Sequence, residues 1–168
     1  MNEKIYEKIA FLSQKLVTLC KENAKKVSTA ESCTGGMISA AITSVSGSSS
    51  VIEMGICSYS NRIKSEILGV SDETLADFSE YSESCALEMA SGARRLSGAD
   101  YAVSTTGVAG PTGDSPEHPV GEVFIAVCSE KETLVKRFLF DGNREQVRAK
   151  SCETALELII SVIEKDLQ

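Results

Sequence analysis

The chain has one histidine, His118, in 168 residues, and none of its six cysteines stands in a CxxC pair. The first shortage argues against a histidine-dependent catalytic triad and leaves Lys, Tyr, Asp or Glu to act as a base. Both together argue against a zinc site, which needs clustered Cys and His ligands, so no metal and no cofactor is expected. No apolar run approaches the roughly 20 residues of a membrane span, and the N-terminal Met1-Asn2-Glu3-Lys4 reads as polar and helical, unlike a signal sequence. A basic stripe is also missing and the net charge is −7, so neither nucleic acid nor an anionic membrane surface is an expected partner. Cys20, Cys33, Cys57, Cys85, Cys128 and Cys152 are scattered, mostly within apolar periodic segments. They read as small buried hydrophobes in a reducing cytoplasm, which is the expected location.

What is present suits one domain over residues 1–168, with 42% hydrophobic residues to build its core and no long linker or internal repeat. Ile5, Ile9, Leu12, Leu16 and Leu19 recur at four- and three-residue steps and predict a helix over about 3–23. A strand over 27–30 is followed by a helix over about 36–43. Residues 44–50, Ser-Val-Ser-Gly-Ser-Ser-Ser, read as a flexible connector, with Gly47 and Ser48 counted among the candidate substrate-binding residues. The apolar run 51–59 suits a strand buried on both faces. A short helix over 61–68 and one capped by Ser71 come next. Ser82 then opens a longer helix with a narrow stripe of Ala86, Ala90, Ala93 and Leu96. A strand over 101–105 precedes a Pro/Gly-rich stretch. Strands over 121–128 and 133–140, joined by a short polar turn, read as a hairpin, and a last helix covers about 143–165. Strands alternating with helices predict an α/β fold, a three-layer α/β/α sandwich whose sheet is mixed because of that hairpin.

Three loops could carry chemistry. Ala30-Glu31-Ser32-Cys33-Thr34-Gly35-Gly36 takes the chain from a strand into a helix, with two adjacent nucleophiles, Ser32 and Cys33. Free backbone N–H groups at a helix start can bind an anion or steady an oxyanion, and Gly35 and Gly36 allow close approach. An ordinary turn with a Ser or Thr N-cap is the structural alternative. The second loop, Ser58-Tyr59-Ser60-Asn61-Arg62-Ile63-Lys64, offers a lysine that burial could render neutral, with Tyr59 to relay a proton or orient the amine. A solvated surface lysine is the alternative. The third, around Thr106 and Gly107, could present a hydroxyl and N–H groups to a phosphate or carboxamide, or could be a structural turn shaped by Pro111. Arg144 and Arg148, one turn apart, could grip a phosphate or pair with carboxylates along the helix.

Those segments, with Thr106-Gly107-Val108-Ala109-Gly110-Pro111, Pro119-Val120-Gly121 and Arg144-Glu145-Gln146-Val147-Arg148, resemble the CinA C-terminal domain family in order and spacing. The resemblance covers nearly the whole chain and implies a mixed five-stranded sheet, commonly a homodimer, and nicotinamide mononucleotide (NMN) amidohydrolase activity. That reaction turns NMN and water into nicotinic acid mononucleotide and ammonia. Ser32 then matches the catalytic serine and Lys64 the catalytic lysine, with Tyr59 close by. Thr106 and one of Arg144 and Arg148 match substrate-pocket positions, and Cys33, Thr34, Gly35, Gly36 and Gly107 join them as candidate substrate contacts. The chain departs mildly from the family pattern at Val108 and at Thr112-Gly113-Asp114. Many family members carry an N-terminal molybdopterin-binding-like domain that this sequence does not show, so it resembles the stand-alone deamidase form or the deamidase domain taken alone. A non-catalytic nucleotide-binding module and a Cys33 thiol hydrolase are the competing readings.

Overall fold

The structure is a computed structural model and describes residues 2–113 and 115–168; Met1 and Asp114 lie outside the described residues. The first helix, α1 (Asn2–Glu22), buries Ile9, Leu12 and Leu16 as their spacing predicts, with Val17 and Cys20 beside them. β1 (Val27–Glu31) alternates across the sheet and α2 (Met37–Thr43) follows it. β2 (Ile52–Cys57) pairs in parallel with β1. Then come α3 (Asn61–Ile63), which runs on into a wide π-type turn (Lys64–Leu68), and a second such turn (Thr74–Phe78). α4 (Glu83–Ser97), β3 (Tyr101–Gly107), the hairpin β4 (Glu122–Cys128) and β5 (Thr133–Leu139), and α5 (Arg144–Asp166) complete the chain.

The sheet order is β2-β1-β3-β4-β5. The first three strands are parallel, whereas β4 runs antiparallel to β3 and β5 antiparallel to β4. Period-two alternation sorts the side chains. Val103, Val123, Ile125 and Val127 face a core shared with α1, α2 and α5, while Ala30, Ala102 and Ala126 face α4. The result is the three-layer sandwich with a mixed five-stranded sheet that the sequence predicts.

Three local expectations change. β2 is an edge strand whose residues are half-buried or exposed, not buried on both faces, because only β1 flanks it. In α4, Ala86, Ala90 and Ala93 are fully buried, but Leu96 is 47% exposed on the last turn beyond the contact. The segment before β2 is not a loose connector. It closes into a tight turn (Ser48–Ser50) through Ser48 N–H to the Val45 carbonyl and Val51 N–H to that of Ser48.

Candidate active site

The parallel strands β1 and β3 end side by side, Glu31 opposite Thr105, and the chain leaves β1 directly into Ser32. Ser32 N–H still donates to the Thr105 carbonyl at 2.9 Å, so its backbone is anchored to the sheet while its side chain enters the loop layer. A cavity of about 230 Å³ opens there, lined among others by Ser32, Cys33, Tyr59, Lys64, Gly107 and Arg144. This is where an open α/β sheet gathers ligands, beyond the carboxyl ends of its strands.

Lys64 is brought to Ser32 by the turn after β2. Ser60 caps α3, and Lys64 N–H donates to the Ser60 carbonyl at 3.0 Å. The wide turn that follows is pressed onto α4 at Gly92, where a Cβ would lie 1.9 Å from the Leu68 carbonyl oxygen. Only glycine permits that approach. Lys64 is 1% exposed, and its Nζ donates to Ser32 Oγ at 3.1 Å and to the Tyr59 carbonyl at 3.4 Å. Burial pulls the lysine below its ordinary range. Negative charge on Cys85, Glu80 and Cys33 would oppose that shift, but burial pushes both thiols up to about 12, which leaves them uncharged at neutral pH. Glu80 is then the opposing charge that remains. A serine hydroxyl in contact with a desolvated amine has the make-up of a nucleophile–base pair, and Lys64 is not a solvated surface lysine.

The same thiol shift bears on Cys33. It is buried and lines the cavity, yet its sulfur is a thiol rather than the thiolate a cysteine hydrolase needs.

The loop itself is organised by a residue that sequence reading passed over. Glu31 is fully buried, and its Oε2 accepts from Thr34 Oγ1 at 2.7 Å and from the Gly36 and Ile38 N–H groups at 3.0 Å each. Its Oε1 accepts from the N–H and hydroxyl of Ser39 at 2.8 and 2.9 Å. Helix α2 has no acidic residue in its first turn and no side-chain cap on its N-cap residue, Gly36. Glu31 takes that role from outside the helix. Gly36, at φ 93°, turns its N–H toward the carboxylate, a backbone conformation suited to glycine. The anion site expected at this helix start is therefore filled by the protein's own carboxylate, and the Ser or Thr N-cap is absent. Among the described residues the N–H of Thr34 has no acceptor and that of Cys33 none beyond its own thiol.

Several candidates take other places than expected. Thr34 points inward, its hydroxyl shared between Glu31 and Thr105 Oγ1, the latter at 2.7 Å. Thr106 Oγ1 donates to the Glu80 carbonyl at 2.6 Å rather than entering the cavity, whereas Gly107 does line it. The Tyr59 hydroxyl accepts from Arg144 Nη2 at 3.0 Å, and it is the main-chain carbonyl of Tyr59 that meets the lysine. A proton relay through the phenol is thus not built. Arg148 donates to the carbonyls of Cys33 and Thr34 at 3.2 and 2.7 Å, so it clamps the loop, with Gly35 against it. Arg144 lines the cavity and also holds the Gly110 carbonyl at 2.9 Å. Gly47 and Ser48 lie before β2, beside the start of β1, at the opposite end of the sheet from Ser32. They take no part in this site.

Residues 9–163 match the CinA C-terminal domain. A CinA-like protein of Thermotoga maritima is 44% identical over 146 residues, which is 87% of this chain and 36% of that protein. One from Endomicrobium trichonymphae is 46% identical over 141 residues, 84% of this chain and 33% of the relative. The chain thus spans about a third of the length of the curated relatives it matches. Among solved structures, the competence/damage inducible protein CihA from Agrobacterium tumefaciens superposes with TM-score 0.90 at 41% identity, covering 92% of this chain and 94% of that one. A CinA superfamily protein from Enterobacter cloacae gives TM-score 0.89 at 33% identity and covers 92% of each chain.

Proposed function

The chain belongs to the CinA C-terminal domain family, and from that membership and the site geometry we propose that it hydrolyses the carboxamide of NMN to nicotinic acid mononucleotide and ammonia. The observation that carries this reading is the 3.1 Å contact between Ser32 Oγ and the buried Nζ of Lys64. Neutral Lys64, with one N–H held by the Tyr59 carbonyl, takes the proton as Ser32 Oγ attacks the carboxamide carbon. The N–H groups of Cys33 and Thr34 are the donors left to receive the oxyanion. The protonated lysine then gives its proton to the departing ammonia, and water cleaves the acyl-serine ester. Arg144, exposed and lining the cavity, is the cation for the phosphate, since Arg148 is held by the loop carbonyls and is not among the lining residues.

Ammonia release from NMN, measured for the wild type and for Ser32→Ala, tests the assignment. The wild type is expected to release ammonia, and Ser32→Ala to bind NMN without turnover. Binding of NMN with no ammonia from the wild type would favour a non-catalytic nucleotide-binding module. An active Ser32→Ala would move the nucleophile elsewhere.

A further inference from the structure

The mechanism leaves one wall of the cavity unused. Glu80 and Tyr81 line it, and among the described lining residues Glu80 is the one acidic side chain. Its carboxylate is half-buried and makes no hydrogen bond or ion pair with any described residue. An unpaired carboxylate in a partly desolvated cleft loses hydration that a bound cation would replace. The backbone beneath it is firmly placed: the Glu80 carbonyl accepts from Thr106 Oγ1, and Tyr81 N–H donates to Ser79 Oγ at 3.1 Å.

The aromatic half of this wall is also held. The Tyr81 ring stands edge-on to the His118 ring, centroids 5.7 Å apart at 72°. His118 bridges Ser79 Oγ at 3.1 Å and Glu122 Oε2 at 2.6 Å, and buried Glu122 is tied in turn to Arg137 at 2.6 Å. Hydroxyl, imidazole and carboxylate in this order resemble a hydrolytic triad. Yet neither Ser79 nor His118 lines the cavity, and Ser79 Oγ already accepts the Tyr81 N–H. The chain Ser79–His118–Glu122–Arg137 is a strut behind the wall.

We propose that Glu80 and Tyr81 recognise a positively charged aromatic ring, so that the cavity selects a cationic ring over its uncharged isostere. The inference rests on the deamidase reading and assigns the discrimination within it. Exposed Arg144 attracts an anionic group and half-buried Glu80 a cationic one within the same lining. A ligand with a cationic ring and a remote phosphate satisfies both. Tyr81, lining the cavity beside Glu80, supplies an aromatic ring, which attracts a cationic ring much more than an uncharged one.

The test compares NMN with its dihydro form, which keeps phosphate, ribose and carboxamide but carries no ring charge. The KM for NMN and the Ki of the dihydro form as competitor are measured for the wild type, Glu80→Gln, Tyr81→Phe and Tyr81→Leu. The wild type is expected to prefer the cation. Glu80→Gln should cut that preference roughly fivefold or more through NMN alone. Tyr81→Phe should keep it and Tyr81→Leu lose part of it. Calorimetric binding of both compounds to Ser32→Ala protein, with and without Glu80→Gln, reads the same preference without turnover. Absence of ammonia release from the wild type would therefore sink the deamidase reading while the ring preference is still measured. If Glu80→Gln moves only the pH profile set by Lys64 and leaves the preference intact, Glu80 serves the lysine and the proposal is overturned.

Discussion

Two turns rich in small polar residues flank the first half of the sheet, and they read much alike in one dimension. One, residues 31–36, leaves the C-terminal end of β1; the other, residues 44–50, feeds β2 at the opposite end. The first is built around a buried carboxyl side chain, Glu31, that gathers five close hydrogen bonds, and is clamped from outside by Arg148. The second closes on its own backbone and on local hydroxyl bonds, Ser44 Oγ to the Ala41 carbonyl at 2.7 Å and Ser50 Oγ to the Gly47 carbonyl at 2.8 Å. Composition makes a turn, whereas a buried carboxyl group with its hydrogen bonds and a position at the strand ends make a site.

The largest effect that would break this contrast lies at Lys64. Replacement by Arg should cost about a thousandfold in turnover, as much as Ala, because guanidinium stays protonated and cannot accept the Ser32 proton. The sign of the pH dependence follows from the lysine's lowered pKa. Lys64 works when neutral, so activity rises with pH through a value below the roughly 10.4 of free lysine. Appreciable activity in Lys64→Arg, or a rise centred at the free-lysine value, would show that the amine is a binding cation only.

Glu31→Gln tests the carboxyl group that distinguishes the active turn. The amide NH2 would face backbone N–H donors, leaving at least one buried donor unpaired. A loss of about 2 kcal/mol is expected, or roughly 4–8 °C in melting temperature for a chain of this size. Turnover should fall as well, since the turn that carries Ser32 relaxes. An unchanged melting temperature would mean that the carboxylate is not what orders the turn.

The two arginines separate next. Arg144→Ala should raise the KM for NMN about tenfold and narrow its advantage over nicotinamide riboside, which lacks the phosphate. Arg148→Ala should lower stability by about 1–2 kcal/mol and reduce turnover on both compounds alike. A common response from both variants would erase the division between substrate cation and loop clamp.

How much of this was legible follows the same physical division. Helix and strand periodicity reveals the layers, because burial alternates as the side chains do. Ser32, Lys64 and Tyr59 were legible as a set through the family resemblance, since local spacing alone left Lys64 open to a surface role. The role of Tyr59 was not, because the lysine meets its main-chain carbonyl, which every residue carries. Glu31 was hidden because a carboxylate in a strand-like run of five residues looks solvent-facing; the available signal was that α2 lacks an acidic residue of its own in its first turn. Glu80 and Tyr81 carry no spacing signature, since they reach the cavity through Thr106 and His118, distant in sequence.

The smallest expected effect is at the other turn. Ser48 was a substrate-binding candidate, yet it stands at the start of β2 while the cavity opens at the ends of β1 and β3. Five to six residues of parallel strand, at roughly 3.3 Å each, separate those two ends. Ser48 contributes its backbone to the turn, through N–H and carbonyl bonds that alanine keeps. Ser48→Ala should therefore leave kcat and KM within about twofold and stability within about 0.5 kcal/mol. Steady-state ammonia release and a melting curve measure both. A selective rise in KM for NMN with an unchanged melting curve would bring this turn back to the substrate, and position at the strand ends would lose its authority.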